Sequence, residues 1–558
     1  MRTTRLLTLS LVTAAAITLA GCSAGERGNT GDGTAAATKT GGTLVYATGD
    51  GEPSCLDPHV GGNYPQALIS TQYIEPLVGR DATGKITPWL ATDWALSEDG
   101  LTWDFTLAEG VTFTDGTPLN AEAIKANIEH LQDPDTQSST GFIAVQKVRE
   151  VEAVSDTRVR FHLSEPDSAL LESLSQQWTA IQSPAGIARG MEENCQLPVG
   201  TGPFIVEEWV PQDHVTLVRN ENYQTPGPEN DHDGGAYLDR IEWRFIPDPA
   251  TRFAALQAGE VNVIDNPLPA DIVAVEKSGD GNGNSNSNSS DSEHIDAPRP
   301  GSVNRIELNA GQAPFDDPRV REAFIRSADP APGIESLFLG TATRAFSPLA
   351  STEPLAFGDE KLLATDPKRA AKLLDEAGWV TGDDGIREKG GKRLIVRFPV
   401  STNQSTAAEQ SLFEQIQANT ADVGFEVQLE PVDLSTWYTR LGANDYEAVS
   451  APYTKVGPDV LRTLYHSNGM KPAPSGYFAN HAHLSNPELD ALLEQAASTS
   501  DATERAELYR DAQQRILESF TVLPLYDQQN HFLTRGVTGV TALGTVATPT
   551  FVNTKLKA

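Results

Sequence analysis

Chemically capable residues are sparse in this chain, and their spacing favours binding over catalysis. In GPDVLRTLYHS (457–467), Asp459 and Arg462 lie three residues apart, which sets a carboxylate and a guanidinium on one face of a helix. Asp459 is a good cap for a helix opening at Val460. Arg462 offers a planar fork to a carboxylate, either a ligand's or that of a neighbouring acid. His481 and His483, in NHAHL (480–484), are two imidazoles of an incomplete metal shell, and a solvated loop is the expected state. ENDHDGG (229–235) has the look of a calcium loop, but setting the loop glycine at Gly234 puts Arg240 where the bidentate acid must stand. A polar turn is expected there, and no metal or cofactor. The chain lacks Gly-x-Ser-x-Gly, His-Glu-x-x-His and the Walker lysine motif, so neither a serine hydrolase, a zinc peptidase nor a P-loop enzyme is indicated.

The cysteines point to the compartment. Arg2 and Arg5 precede an apolar run that stops at Leu19-Ala20-Gly21-Cys22. That run is short for a membrane span and right for the core of a secretory signal. Small residues before a cysteine resemble the bacterial lipobox, which implies cleavage before Cys22 and a diacylglycerol on its thiol. Residues 23–42 are rich in Gly, Thr, Ala and Ser and read as a flexible tether. The remaining pair, Cys55 and Cys195, is expected to form a disulfide in an oxidising compartment, with two buried free thiols as the alternative.

Composition narrows the partners. Of 558 residues, 76 are Asp or Glu and 42 Lys or Arg, a formal charge of −34, which disfavours nucleic acid and anionic lipid surfaces. Hydrophobic content of 39% and aromatic content of 7% are ordinary for a globular protein with a large core.

The elements that must position any site alternate between strands and helices, an α/β pattern. Strand signals include TWDFTL (102–107), RVRFHL (158–163), HVTLVR (214–219), NRIELN (304–309), RLIVRFPV (393–400) and FEVQLE (425–430). Asp366-Pro367, Asn486-Pro487 and Asp501 with Glu504 mark helix starts, and Gly378 marks a stop. Ile124, Ile128 and Leu131 line one helical face. SGDGNGNSNSNSS (278–290) holds no apolar residue and is expected to be a disordered insertion.

In order along the chain stand PWLATDWALSEDGLTWDFTLAEGVTFTDGTPLNAEAIKANIEHL (88–131), PVGTGPFIVEEW (198–209), IPDPATRFAALQAGEVNV (246–263), APFDDPRVREAF (313–324) and DPKRAAKLLDEAGW (366–379). Together they closely resemble the extracytoplasmic solute-binding proteins of family 5, receptors of ABC importers for peptides and nickel. The resemblance runs from about Leu44 to about Leu533. It implies a two-lobed periplasmic-binding-protein fold (type II, class C) with an extra domain inserted in the first lobe, and two strand crossings near 304–311 and 522–527. The implied organisation is a signal peptide over 1–21, a lipidated linker over 22–42, lobe I over 43–85, an inserted domain II over 86–195, lobe I again over 196–302, lobe III over 303–523, and a return to lobe I over 524–558.

The resemblance also implies a function: a lipid-anchored, non-catalytic, monomeric receptor at the outer face of the cell membrane that closes on a small polar solute and presents it to an ABC permease. A short peptide or peptide-like zwitterion is the first expectation. An opine, oligosaccharide or nickel chelate is the alternative, with an extracellular hydrolase as the alternative of another class. Many members hold a ligand amine by an aspartate between a strand and a helix, and the matching place is APYTKVGPDVLRTLYHS (451–467). The chain departs from the frequent form, having Tyr453, Lys455 and Gly457-Pro458-Asp459. Ligand contacts are accordingly expected from Asp459, Arg462 and Tyr453, with Tyr46 and Asp50 at the end of the first strand, Trp178, and Asn309 beside the first crossing.

Overall fold

Two α/β sheet systems and a third, all-antiparallel sheet account for the architecture. A computed structural model describes residues 38–62, 64–279, 291–453, 455–499 and 501–558. The expected signal peptide, Cys22 and most of the polar insertion lie outside these residues. Ser278 and Gly279, the first two residues of that insertion, end a helix, Pro269–Gly279. No described helix is long and apolar enough to cross a membrane.

The first lobe is built on a seven-stranded sheet, ordered Ser292–Pro298, Gln529–Arg535, Val263–Asp265, Thr43–Thr48, Arg240–Phe245, His214–Arg219 and Phe204–Val210. Thr43–Thr48 runs parallel to both neighbours, so its residues are covered on both faces: Leu44, Tyr46 and Ala47 are fully buried. The strand Thr38–Lys39 pairs with Lys555–Lys557, so ordered structure reaches into the stretch read as linker.

The inserted domain carries a four-stranded antiparallel sheet, Ala91–Leu96, Thr102–Leu107, Arg158–Leu163 and Val148–Ser155 in spatial order. Trp103, Phe105 and Leu107 alternate inward and pack with Ile124, Ile128 and Leu131 of the helix Ala121–Gln132. Apolar residues of period two on the strand meet apolar residues of helical period on the helix, and that match makes this unit's core. Asn120 caps the helix by accepting from the Ala123 N–H at 2.9 Å.

The other lobe is centred on Ala448–Ser450, Asn304–Leu308 and Val522–Tyr526. Glu447 N–H donates to the Arg397 carbonyl at 3.1 Å, which attaches the parallel pair Ile395–Ser401 and Glu426–Val432 to this sheet. The two strands expected as crossings pair antiparallel with each other. Helices pack around this sheet as their punctuation predicts. Asp366, Asn486 and Asp501 each accept from backbone N–H groups of the first turn, and Gly378 takes a positive φ of 85° just past Pro367–Glu376. Cys55 and Cys195 are joined by a disulfide that ties the loop after the first strand to the end of the inserted segment.

Candidate functional site

The first strand ends at Thr48, and the chain must then turn close past a buried arginine. A Cβ on Gly49 would sit 2.4 Å from the Arg252 guanidinium, so glycine is what permits the approach. Asp265, at the end of the parallel neighbour strand, accepts from Tyr46 Oη (2.7 Å), Thr48 Oγ1 (2.6 Å) and Gly49 N–H (2.6 Å). This fixes the next residue, Asp50, at the mouth of a cleft between the lobes.

The cleft holds two adjoining cavities of about 590 and 360 Å³. Both are walled by Asp50, Tyr64, Arg299, Asn403, Gln404 and Pro452, which therefore form the waist between them. The larger is closed on one side by aromatic side chains: Trp437 and Tyr438 on the helix Leu434–Gly442, with Tyr453, Tyr477 and Phe478 from the loops. Asp433 caps that helix at the Thr436 N–H, 2.9 Å away, and sets its register toward the cavity. The opposite wall comes from Gly61, Gly62 and, in the inserted domain, Ser139 and Thr140.

Asp50 Oδ2, Arg299 Nε, Trp437 Nε1 and Tyr453 Oη are buried without a hydrogen-bond partner among the described residues. Such orphans are rare inside proteins, because each costs its desolvation unless something else supplies the bond. Here four line one cavity. Burial pushes the Asp50 carboxyl up to about 7, with Asp265 adding to the rise and Arg299 and Arg252 opposing it. Arg299 lies over the Tyr64 ring at 4.4 Å and forms no ion pair within 4 Å among the described residues. Burial lowers its pKa, while Tyr64 and Asp50 pull the other way. The waist thus presents one acid and one base, each with bonding capacity to spare.

Of the residues named from sequence, Asp50 and Tyr453 line the cleft. Asp459 does not: it is buried, with Lys455 Nζ 2.7 Å from Oδ2 and Arg462 Nε 2.7 Å from Oδ1. Burial opposes its charge, yet Arg462 and Lys455 hold its carboxyl well below the usual range. It stands at the start of Val460–Tyr465, but its side chain makes no capping bond. Arg462 spends its guanidinium on Asp459 and on Asp167 of the inserted domain, 3.3 Å away. Tyr46 is core, its ring tilted at 50° against Trp243 with centroids 4.2 Å apart. Trp178 packs with Ala67 and Val546, and Asn309 is used up by Asn444, Tyr446 and Gly311. His481 is 1% exposed, with Nδ1 3.3 Å from Glu307 Oε2, so the solvated loop expected there is wrong.

Arg299, Tyr64, Trp437, Tyr438, Tyr477 and Phe478 were not singled out. A basic residue between two prolines just before a crossing strand, PRP (298–300), was a readable signal for Arg299. The aromatics carried no pattern separating a cavity wall from a core.

A cleft walled by both lobes and lined by unpartnered polar atoms defines a solute receptor. The model of bacterial extracellular solute-binding proteins, family 5, matches residues 85–474, and the chain belongs to that family. The nickel-binding periplasmic protein of Escherichia coli (strain K12) is 28% identical over 482 residues, 84% of this chain and 86% of that one. The glutathione-binding protein GsiB of the same organism is 29% identical over 491 residues, with the same coverage. NikA from Brucella suis, solved with Fe(III)-EDTA, superposes with a TM-score of 0.77 at 27% identity, covering 92% of this chain and all of that one. The chain is thus an extracytoplasmic solute-binding protein that works with an ABC permease, not an enzyme.

Proposed function

We propose that this chain captures a small zwitterionic solute bearing at least one carboxylate, a short peptide or peptide-like compound, and hands it to its permease while anchored to the membrane by lipid on Cys22. The observation that carries the reading is the waist: Asp50 and Arg299 face the same cleft, and each keeps a buried polar atom without a partner among the described residues. An ammonium satisfies Asp50 and a carboxylate satisfies the fork of Arg299, so a ligand bearing both meets each charge and leaves none buried alone. The aromatic wall accepts the ligand's apolar part. The relatives named for glutathione and solved with Fe(III)-EDTA bind carboxylate-bearing compounds, which agrees with this chemistry.

Asp459 has no part in this reading, because Lys455 already occupies the place a ligand amine would take. Closure follows from differential contact: a solute touching both lobes stabilises the shut form by the contacts that only this form offers.

The test is a melting screen of dipeptides, glutathione, opines, neutral oligosaccharides and nickel–histidine. A ligand at 100 times its dissociation constant adds about 2.7 kcal/mol of stability. A zwitterion is expected to give the shift and Arg299→Gln to abolish it; a shift with a neutral sugar alone refutes the reading. For the anchor, Cys22→Ala is expected to move the protein from the membrane fraction to the soluble one.

A further inference from the structure

Away from the cleft, the loop after the first strand meets the end of the helix Ala121–Gln132, and Asp57, His59 and His130 converge. One ligand atom from each lies within 4.8 Å of the others. Asp57 and His59 are fully buried, and the His130 side chain is 12% exposed.

The bonds around these groups decide which atom of each is left to ligate. His59 Nε2 lies 2.7 Å from the Ala180 carbonyl, which can only accept, so this nitrogen carries the proton and Nδ1 keeps its lone pair. That Nδ1 is buried with no partner among the described residues. On His130, Nδ1 is 3.0 Å from the Thr136 hydroxyl, while Nε2 faces Asp57 Oδ2 at 3.0 Å. Asp57 is oriented in turn by the amides of Gln182 (2.6 Å) and Asn194 (2.8 Å) and by the His59 N–H (2.9 Å). Imidazoles whose far nitrogens are held by a carbonyl and a hydroxyl, and a carboxylate held by amides, are the outer support that metal sites have. An orphaned imidazole nitrogen in a dry interior is otherwise a cost without return.

We propose that Asp57, His59 and His130 bind one divalent transition metal of the zinc type through two imidazole nitrogens and a carboxylate oxygen. Two nitrogens and one oxygen suit zinc and its neighbours and not the all-oxygen shells of calcium or magnesium. Binding replaces the Asp57–His130 hydrogen bond: a neutral His130 moves its proton from Nε2 to Nδ1, where the Thr136 hydroxyl accepts it, and an imidazolium gives its Nε2 proton to solvent. The fourth position is left for water on the side where His130 meets solvent.

The metal would act as a clamp. Both arms run on to the cleft wall: Gly61 N–H donates to the Gln137 carbonyl at 3.1 Å, Ser139 N–H donates to the Gly61 carbonyl at 2.8 Å, and Gly61, Gly62, Ser139 and Thr140 line the larger cavity. Asp57, His59 and His130 line neither cavity, so the site is separate from the one for the solute.

The experiment strips the purified chain with a chelator, equilibrates it with zinc and, in parallel, with cobalt as a spectroscopic probe, and then dialyses. One zinc per chain is expected to remain, with visible cobalt bands of a four-coordinate site and a raised melting temperature. His130→Gln, at the least buried of the three positions, is expected to lose the metal while keeping the circular dichroism of the stripped wild type. Thr136→Val, which removes only the support behind His130, is expected to weaken zinc by about 10- to 100-fold. A wild-type chain that holds no zinc after dialysis overturns the proposal, as does zinc that survives His130→Gln and leaves on replacing His294 or His531, a second, half-buried pair of imidazoles 3.1 Å apart.

Discussion

At the scale of single residues, two aspartates divide the work that sequence assigned to one. Asp459 is 1% exposed between Lys455 and Arg462, so Asp459→Ala leaves Lys455 buried without its anion and Arg462 with Asp167 alone. Removing one member of a buried ion pair costs about 3–5 kcal/mol, and urea unfolding is expected to show a loss of that order. Asp50→Asn keeps the shape and removes a charge that burial already resists, so its stability is expected to hold or rise. Its ligand affinity should fall by roughly 10- to 100-fold, the worth of a charge-assisted bond of about 1.5–3 kcal/mol. The reverse pattern, Asp459→Ala folding normally with its affinity gone, would return the ligand amine to Asp459. Sequence could not separate the two, since Asp459 stands at a plausible helix start and Asp50 at a strand end. What decides their roles is Lys455, four residues before Asp459, whose ammonium fills the space.

At the scale of elements, alternation and punctuation were legible. TWDFTL, RVRFHL and HVTLVR form strands with those bounds, and Asp366, Asn486 and Asp501 cap helices, because period and cap chemistry are local. Packing between elements was not legible, as the helix Leu170–Ser173 illustrates. Glu172 meets the turn at Gly457, whose φ is +79° and where a Cβ would come within 1.8 Å of Glu172 Oε2. Burial pushes the Glu172 carboxyl up to about 7, Glu353 and Asp459 adding to the rise and Arg80 and Arg505 opposing it. A carboxyl raised on folding contributes stability that is complete below its ordinary value of 4.5 and is lost as pH climbs through about 7. Glu172→Gln is therefore expected to raise the melting temperature at pH 8 relative to wild type and to leave it nearly unchanged at pH 4. Asp50, Glu75 and Glu409 are also raised to about 7, so the wild-type slope should flatten, not vanish. An identical slope in the variant would show that Glu172 is solvated.

At the scale of the molecule, the inserted domain grips the far lobe at points remote from the solute. Lys147 lies 3.3 Å from Glu494, Arg462 lies 3.3 Å from Asp167, and Ser168 donates through both N–H and Oγ to the Ala497 carbonyl at 3.0 and 2.7 Å. These contacts exist only while the lobes are together, so they bias the equilibrium between open and shut without touching the ligand. Apparent affinity scales with the fraction of molecules already competent to bind. Asp167→Ala is the wrong probe, because it strips a partner from Arg462 beside Asp459. Lys147→Ala with Ser168→Ala removes two contacts between the lobes, the partly buried Lys147–Glu494 pair and a neutral hydrogen bond, worth together about 1–2 kcal/mol, besides the Lys147–Glu165 pair, which lies within the inserted domain and counts equally in both forms. That loss falls on the shut form alone, so the double variant should bind the solute roughly 5- to 30-fold more weakly with its cavity intact. Scattering should show a larger radius of gyration without ligand and the wild-type radius at saturation. Equal radii with weakened binding would place the effect in the cavity and not in closure, and unchanged binding would mean that the lobes shut on the solute alone.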